Sequence, residues 1–302
     1  MKSFCTTSDI NFLYRGLALY DSLLKQNDDF KLYYLCSDDE SYDKLLDLNK
    51  EKIIPISLSS LLEEDIALKE AMDNDPSYEA VNVGIKTKCN PKKVQFFWCL
   101  SAYFTWWVLD QEEVEDILYI DPDIYFYNDW QLIYDEIGDK SIGLVRHRIP
   151  YSPAVGEYNV GIVYFRKDLK GYACSDFWKN CLLDINNKYY KTHGMCGDQK
   201  YLELFSPLFG EQCVSIIDKK VGHLAPWNLV HHQWTDSKII WEGIPQDVMY
   251  CHFSDFKPNF DNNTYDIAPR HGFAGEIRHK VPKLLNSLYD EYFEALKTSR
   301  KY

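Results

Sequence analysis

The strongest chemical signal in the sequence is a pair of aspartates after an apolar run, in Leu118-Tyr-Ile-Asp121-Pro-Asp123. The run predicts a buried strand, and a strand that ends there places both carboxylates at the carboxyl edge of its sheet. Pro122 stiffens the turn and removes a competing N–H. Two hard oxygen donors at this spacing suit Mg²⁺ or Mn²⁺, which keep coordination positions for phosphate oxygens. Asp-Pro-Asp is also a sequence that forms turns readily. The triplet alone is therefore about equally consistent with a metal site and with a simple turn.

A second polar segment, Tyr250-Cys-His252-Phe-Ser-Asp255-Phe-Lys257-Pro258, comes late in the chain. His252 ends an apolar strand there and can supply a third, nitrogen ligand to a metal ion. Lys257 can neutralise a phosphate. A lone histidine at a strand end is more often structural, but together with an Asp-x-Asp pair it supports a metal site.

Two shorter motifs lie between these segments. Asn159 stands before Gly161 at the start of an apolar strand, and Asp198-Gln199 follows Gly197 at a predicted helix start. Each is equally explained as a cap or turn residue.

An alternation of strands and helices must position these residues. The first strand, a helix with apolar residues at 14, 17, 19, 23 and 24, and two further strands form a βαβαβ unit. Such a unit predicts an α/β protein with a parallel sheet that binds ligands outside the carboxyl ends of its strands. No Gly-x-Gly-x-x-Gly motif follows the first strand, which argues against a dinucleotide site. We predict strands at 1–7, 30–36, 52–56, 116–120, 142–145, 160–165, 214–217, 238–241 and 248–253, and helices from a cap at 37–40 through 48, at 94–109, 168–186, 198–206 and 277–298.

Composition excludes several classes of protein. The 302 residues are 46% hydrophobic and 26% charged, which is ordinary for a folded soluble chain and rules out a disordered or fibrous one. The net charge of −13, from 33 basic and 46 acidic residues, argues against a nucleic-acid partner. The nine cysteines form no Cys-x-x-Cys pair, which indicates free thiols in a reducing cytosol and no zinc site. We find no signal peptide and no run of about 18 apolar residues that could span a membrane.

The order of these motifs resembles a known family. An Asp-x-Asp pair after an apolar strand, a Tyr-Asn-x-Gly strand, a Gly-Asp-Gln helix start and a His-Phe-x-x-x-Lys-Pro segment follow one another here. Together they are similar to the nucleotide-sugar glycosyltransferases of GT-A fold, close to glycosyltransferase family 8 (the galactosyltransferase and glycogenin type) and related bacterial surface-glycan enzymes. The resemblance implies a mixed, mostly parallel, Rossmann-like sheet flanked by helices.

The resemblance also implies roles for individual residues. Asp121, Asp123 and His252 would bind Mn²⁺ (or Mg²⁺), and Lys257 would contact the diphosphate. Contacts to the donor sugar would fall on Asn159, Asp198 and Gln199.

Other residues fit the same geometry. Thr6 and Thr7 end the first strand, where a nucleotide base and ribose would lie, and Asp38 ends the second, where it could accept from a uracil N–H or a ribose hydroxyl. Lys88 belongs to a cationic cluster that we expect to be a solvated face for at least two of its members. The cluster comprises Lys86, Lys88, Lys92 and Lys93. Asp255 departs from the family, which usually has glycine there.

The function that these residues predict is transfer of a hexose from a nucleotide diphosphate sugar, by resemblance a UDP-sugar, to a saccharide or lipid-linked glycan acceptor. The resemblance favours retention of anomeric configuration; an inverting enzyme would instead need a carboxylate base, for which Asp198 and Asp255 are candidates. Two alternatives remain open: an aspartyl-nucleophile phosphatase of the haloacid dehalogenase type, and a non-catalytic nucleotide-sugar binding protein.

We expect one catalytic domain at residues 1–265 and a helical extension at 266–302 that packs on it. The apolar stripe of the last helix predicts that Leu284, Leu285 and Leu288 are buried against the domain. Its charges are a poor match to a polybasic face, so we expect a cytoplasmic protein with at most peripheral contact with the inner membrane face.

Overall fold

The computed structural model describes residues 1–73, 94–153, 155–184, 197–267 and 283–302. Lys88 and the other lysines of its cluster lie outside the described residues. The strands are β1 Lys2–Ser8, β2 Phe30–Cys36, β3 Ile53–Ser57, β4 Asp116–Ile120, β5 Ile124–Phe126, β6 Ile142–Arg146, β7 Tyr158–Arg166, β8 Val214–Ile216, β9 Gly222–Leu224, β10 Gln233–Trp234, β11 Ile239–Trp241, β12 Ile244–Gln246, β13 Val248–His252, β14 Lys257–Asn259 and β15 Thr264–Asp266.

The predicted helices agree with the structure where it describes them, except near residue 200, and the sequence did not predict the short helix at Gln131–Ile137. The α-helices are α1 Leu13–Gln26, α2 Asp39–Leu48, α3 Leu58–Glu64, α4 Ile66–Asp73, α5 Val94–Asp110, α6 Gln131–Ile137, α7 Leu169–Leu183, α8 Phe205–Phe209 and α9 Lys283–Ser299. Instead of one helix over 198–206, a 3-10 helix Gln199–Leu204 precedes α8. The side chain of Asp198 makes no cap there, because its carboxylate accepts from the Ser101 hydroxyl.

A seven-stranded sheet of order β3-β2-β1-β4-β7-β6-β8 forms the centre of the molecule. Four of its neighbouring pairs are parallel, and the β4–β7 and β7–β6 pairs are antiparallel. The predicted mixed, mostly parallel α/β sheet is therefore confirmed.

The near-continuous apolar sequence of the inner strands follows from burial on both faces of this sheet. Phe4 and Cys5 are adjacent in β1 and both fully buried, but they belong to different core clusters. The cluster around Cys5 includes α5 and α7, and the cluster around Phe4 includes α1 and α6. Successive residues of a strand point to opposite faces, so helices must cover both.

A second, three-stranded sheet has the order β5-β13-β9. It pairs β5, which begins directly after the Asp-Pro-Asp turn, with β13, which ends at His252. β5 and β13 are antiparallel, with Ile124 opposite His252. The sequence did not predict β5, which is only three residues long. This pairing brings residues 123 and 252 together.

The last helix packs against the second sheet, as the apolar stripe predicts. Leu285 and Leu288 are buried and Leu284 is half-buried in a core cluster shared with β13. The ring of Tyr292 stacks on that of Phe253, with centroids 3.7 Å apart. Within the described residues, no helix combines the length and the apolar character that crossing a membrane requires.

We expect Leu285→Ala to lower the free energy of unfolding by about 2–5 kcal/mol, because it opens a cavity between α9 and the second sheet. Leu169→Ala removes the same atoms from a side chain that is 85% exposed and should change the stability by less than about 0.5 kcal/mol. Urea denaturation measures both. Equal losses would contradict the packing of α9.

Candidate active site

The Asp-Pro-Asp turn is fixed at the carboxyl end of β4 by backbone and side-chain bonds. The Asp121 N–H donates to the Gly161 carbonyl at 2.9 Å, and the Ile124 N–H donates to the Asp121 carbonyl at 3.1 Å. The Tyr119 hydroxyl donates to Asp121 Oδ1 at 2.8 Å. These bonds leave Asp121 Oδ2 directed towards His252.

His252 brings its imidazole between the two carboxylates. Its Nε2 lies 3.1 Å from Asp123 Oδ1 and 3.5 Å from Asp121 Oδ2. The Phe253 N–H donates to the Asp123 carbonyl at 2.8 Å, which continues the β5–β13 register past the strand end. One ligand atom from each of the three side chains lies within 4.8 Å of the others. The structure therefore brings together the three residues expected to bind a metal.

The charges of this cluster perturb one another. Burial raises the pKa of Asp121, and the Asp123 charge adds to the rise. Burial also opposes ionisation of Asp123, but His252 and Arg15 hold the pKa of that carboxyl below its ordinary value. Burial alone would lower the pKa of His252, yet the two carboxylates raise it. In the described part of the chain, the ion pairs of both aspartates are with His252.

The donor set fits a divalent cation. Two carboxylate oxygens and one imidazole nitrogen suit Mn²⁺, and three protein ligands leave positions for substrate oxygens. Partly buried carboxylates that repel each other gain from a cation between them. Asp121, Asp123 and His252 are the residues that could hold it.

An amide pair lies beside the cluster. Asn159 Nδ2 donates to Gln199 Oε1 at 3.0 Å, and Gln199 Nε2 donates to the Val155 carbonyl at 2.9 Å. The β6–β7 register shifts here, from Leu144 opposite Val163 to Val145 opposite Asn159. Such irregularities re-aim side chains next to functional sites.

Asp198 lies buried behind these groups. Its Oδ2 accepts from the Ser101 hydroxyl at 2.8 Å, and its carbonyl accepts from Trp178 Nε1 at 3.0 Å. Burial, with a contribution from the Asp121 charge, raises the pKa of Asp198 to about 7. Asp198 can therefore exchange a proton near neutral pH.

The residues expected to contact the nucleotide lie at the same sheet edge. Thr6 and Thr7 lie near the carboxyl end of β1, and Thr6 is fully buried. Asp38 follows β2 and caps α2, as the sequence predicts: it accepts from the Ser41 N–H at 2.7 Å and the Ile10 N–H at 2.9 Å. Asp38 can therefore meet a nucleotide only with its remaining lone pairs.

Lys257 is 57% exposed, and its Nζ lies 3.2 Å from Asp255 Oδ1. Asp255 has a φ of 58°, a left-handed conformation that glycine adopts most readily. This backbone conformation gives a physical reason why the family that the sequence resembles would have glycine at this position.

The sequence did not single out Tyr119 or Arg15, which both act on the carboxylates. Tyr119 stands two residues before Asp121, so the period of two along β4 could have indicated it. The Arg15 guanidinium donates to the Phe256 carbonyl at 2.6 Å and favours the ionised form of Asp123. The ring of Trp227 lies edge-on to that of His252, with the ring centroids 5.2 Å apart.

Known structures share this fold. Mouse xyloside xylosyltransferase 1 in its apo form is similar over 87% of this chain and 99% of its own, with 13% identity and a TM-score of 0.54. The galactosyltransferase LgtC, in complex with donor and acceptor sugar analogs, is similar over 94% of this chain and 99% of its own, with 12% identity and a TM-score of 0.51. The chain thus has the GT-A fold of the glycosyltransferases, which confirms the fold that the resemblance predicted.

Two curated proteins are similar in sequence. The uncharacterized protein YfnF of Bacillus subtilis (strain 168) is 28% identical over 273 residues, covering 85% of this chain and 82% of YfnF. The uncharacterized protein YfnD of the same strain is 23% identical over 266 residues, covering 84% of this chain and 77% of YfnD. No family model matches the chain.

The raised pKa of Asp198 predicts a pH-dependent stability. In the folded protein this carboxyl keeps its proton up to a pH of about 7. In the unfolded chain it has the ordinary pKa of 3.8 and loses the proton at a lower pH. The contribution of Asp198 to stability should therefore fall as the pH rises from about 4 to about 7. Asp198→Asn removes this loss, so its stability relative to wild type should rise by about 3–4 kcal/mol over that window.

Urea denaturation in chelator at pH 4.5 and pH 8 measures this difference. Asp139→Asn replaces a carboxylate that is 93% exposed and controls for the change in net charge. A pH-independent difference between Asp198→Asn and wild type would show that Asp198 ionises normally.

Proposed function

We propose that the protein is a metal-dependent glycosyltransferase that moves a hexose from a nucleotide diphosphate sugar, a UDP-sugar, to a saccharide acceptor with retention of configuration. The observation that carries this proposal is the Asp121–Asp123–His252 cluster at the carboxyl edge of a GT-A sheet. In open α/β sheets this edge is where ligands bind.

The metal and one lysine serve the leaving diphosphate. Asp121, Asp123 and His252 would hold Mn²⁺ or Mg²⁺, which when bound stabilises developing negative charge as a Lewis acid. Lys257 adds a second positive charge. Because the Lys257 side chain is exposed and lies five residues beyond His252, its ammonium group can leave Asp255 and reach a phosphate near the cluster.

Three polar side chains serve the donor sugar. Asn159 keeps one Nδ2 hydrogen that is not used by Gln199, and it can donate this hydrogen to a sugar hydroxyl. Asp198 and Gln199 stand next to it, and a carboxylate or amide there stabilises positive charge at the reacting carbon. Asp198 titrates near neutral pH and can therefore act in either protonation state.

Thr6, Thr7 and Asp38 would bind the base and ribose, since β1 lies next to β4 in the sheet and β2 lies next to β1. Lys88 is included among the proposed nucleotide-binding residues on the sequence alone, because it lies outside the described residues. The acceptor would be a saccharide, in keeping with the acceptor sugar analog in the LgtC complex, or a lipid-linked glycan, which the sequence resemblance alone suggests. We propose a cytoplasmic protein with at most peripheral membrane contact, a catalytic domain at 1–265 and a packed extension at 266–302.

The phosphatase alternative is the weaker one. Its aspartyl nucleophile normally follows the first strand of the sheet, whereas Asp121 follows β4 here. A purely binding role has less support because all three candidate metal ligands are present in one cluster.

The central test is slow hydrolysis of nucleotide sugars without an acceptor. Across a panel of nucleotide sugars we expect one donor to be hydrolysed in Mn²⁺ and none in excess chelator. Asp123→Asn should lower the Mn²⁺-dependent rate at least a hundredfold while the near-ultraviolet circular dichroism stays native. Full activity in chelator would contradict the metal. Mn²⁺-dependent binding without turnover, even with saccharide acceptors, would favour the binding protein.

Lys257→Ala should weaken binding of the donor and of the nucleoside diphosphate by about 1.5–3 kcal/mol, as expected for a lost charge-assisted hydrogen bond. Lys238→Ala is the matched control, because Lys238 is also exposed and lies 3.1 Å from an aspartate oxygen. Isothermal titration calorimetry with Mn²⁺ present measures both. Unchanged affinities in Lys257→Ala would assign this side chain to the solvated surface.

A further inference from the structure

The side-chain amide of Asn159 connects the imidazole of His252 to Gln199. Its Oδ1 lies 2.9 Å from the Gly161 backbone nitrogen and 3.3 Å from His252 Nδ1. Its Nδ2 lies 3.0 Å from Gln199 Oε1. All of these groups lie within the described residues, beside the carboxylates of the candidate metal site.

The direction of each hydrogen bond in this network follows from backbone groups that can only donate or only accept. The Gly161 N–H can only donate, so the oxygen of the Asn159 amide must face it. Gln199 is oriented independently, because its Nε2 donates to the Val155 carbonyl and its Oε1 accepts from the Val160 N–H at 3.4 Å. Asn159 Oδ1 therefore faces His252, and the Nδ1 of His252 must carry a proton to bond to it.

This arrangement selects the ligand atom of the imidazole. With a proton held at Nδ1, the lone pair that remains on a neutral imidazole is at Nε2. Nε2 is the nitrogen that lies between Asp121 Oδ2 and Asp123 Oδ1. Metal-bound histidines usually donate their other N–H to such an acceptor, which fixes the tautomer and the ring orientation.

Gly161 makes the contact sterically possible. A Cβ built at this position would lie 2.7 Å from Asn159 Oδ1 and 2.7 Å from His252 Nδ1. Real Cβ atoms do not come this close, so either the amide or the ring would have to move. The same residue accepts the Asp121 N–H through its carbonyl. Gly161 therefore supports a carboxylate ligand through the backbone of Asp121 and leaves room for the contact between Asn159 and the imidazole ligand.

We propose that Asn159, packed against Gly161, is a positioning residue that holds the His252 proton at Nδ1 and directs Nε2 to the metal. This deepens the proposed function and rests on its metal site. It adds to the sugar contact proposed for Asn159, since the second Nδ2 hydrogen stays available. Through Gln199, the same amide also ties the 155–160 segment to the metal ligands.

Binding of Mn²⁺ alone, without a nucleotide, tests this role. Electron paramagnetic resonance of free Mn²⁺ gives the dissociation constant, and electron spin echo modulation from ¹⁴N reports a bound imidazole nitrogen. Asn159→Leu removes the acceptor and Gly161→Ala displaces it, so each should weaken Mn²⁺ binding about tenfold to a hundredfold. Asn159→Asp keeps an acceptor for Nδ1–H and should bind Mn²⁺ at least as tightly as wild type, with the ¹⁴N modulation retained.

Asn128→Leu is the matched control. Asn128 donates to the Val248 carbonyl on the strand that carries His252 but does not touch the cluster, so its variant should keep wild-type affinity. Wild-type affinity and ¹⁴N modulation in Asn159→Leu and Gly161→Ala would overturn the positioning role, and so would weak binding in Asn159→Asp. A wild-type protein that binds no Mn²⁺, or binds it without ¹⁴N modulation, would instead contradict the metal site itself, and this inference with it.

Discussion

The repulsion between the carboxylates of Asp121 and Asp123 is the constraint on which the rest of the site depends. Two carboxylates at one partly buried sheet edge both stay ionised only when positive charge lies between them. The imidazole of His252 occupies that position, 3.1 Å from one carboxylate and 3.5 Å from the other. A divalent cation with these three ligands would balance the charge more fully, and this is the physical basis for proposing a diphosphate site here.

The architecture holds these three side chains from several directions. β4 ends at Asp121, and the β5–β13 pairing aligns His252 with the residue after Asp123. Phe253 stacks on Tyr292 of α9, so the helix at the end of the chain packs directly behind a candidate metal ligand. Arg15 of α1 binds the Phe256 carbonyl in the segment that leads to Lys257. Packing far along the chain is therefore coupled to the geometry of the site.

The sequence predicted the fold and the metal cluster better than it predicted their connection. The strand before Asp121 and the strand before His252 were visible as long apolar runs, and their polar ends indicated the ligands. β5 has only three residues and no pattern of its own, so the pairing that joins the two motifs was not predicted. The single helix predicted at 198–206 is instead a 3-10 helix followed by α8, and the Asp198 carboxylate accepts from Ser101 rather than capping it. Contacts between distant residues, such as Asn159 with His252, have no signal in one sequence.

Anomalous diffraction is the most direct test of the central claim. Crystals grown with Mn²⁺ and a nucleoside diphosphate would be measured at energies above and below the manganese absorption edge. The account predicts an anomalous peak bounded by Asp121, Asp123 and His252 Nε2, with diphosphate oxygens as further ligands. A protein that binds the nucleotide while these three side chains keep their direct contacts, with no manganese peak between them, would contradict it.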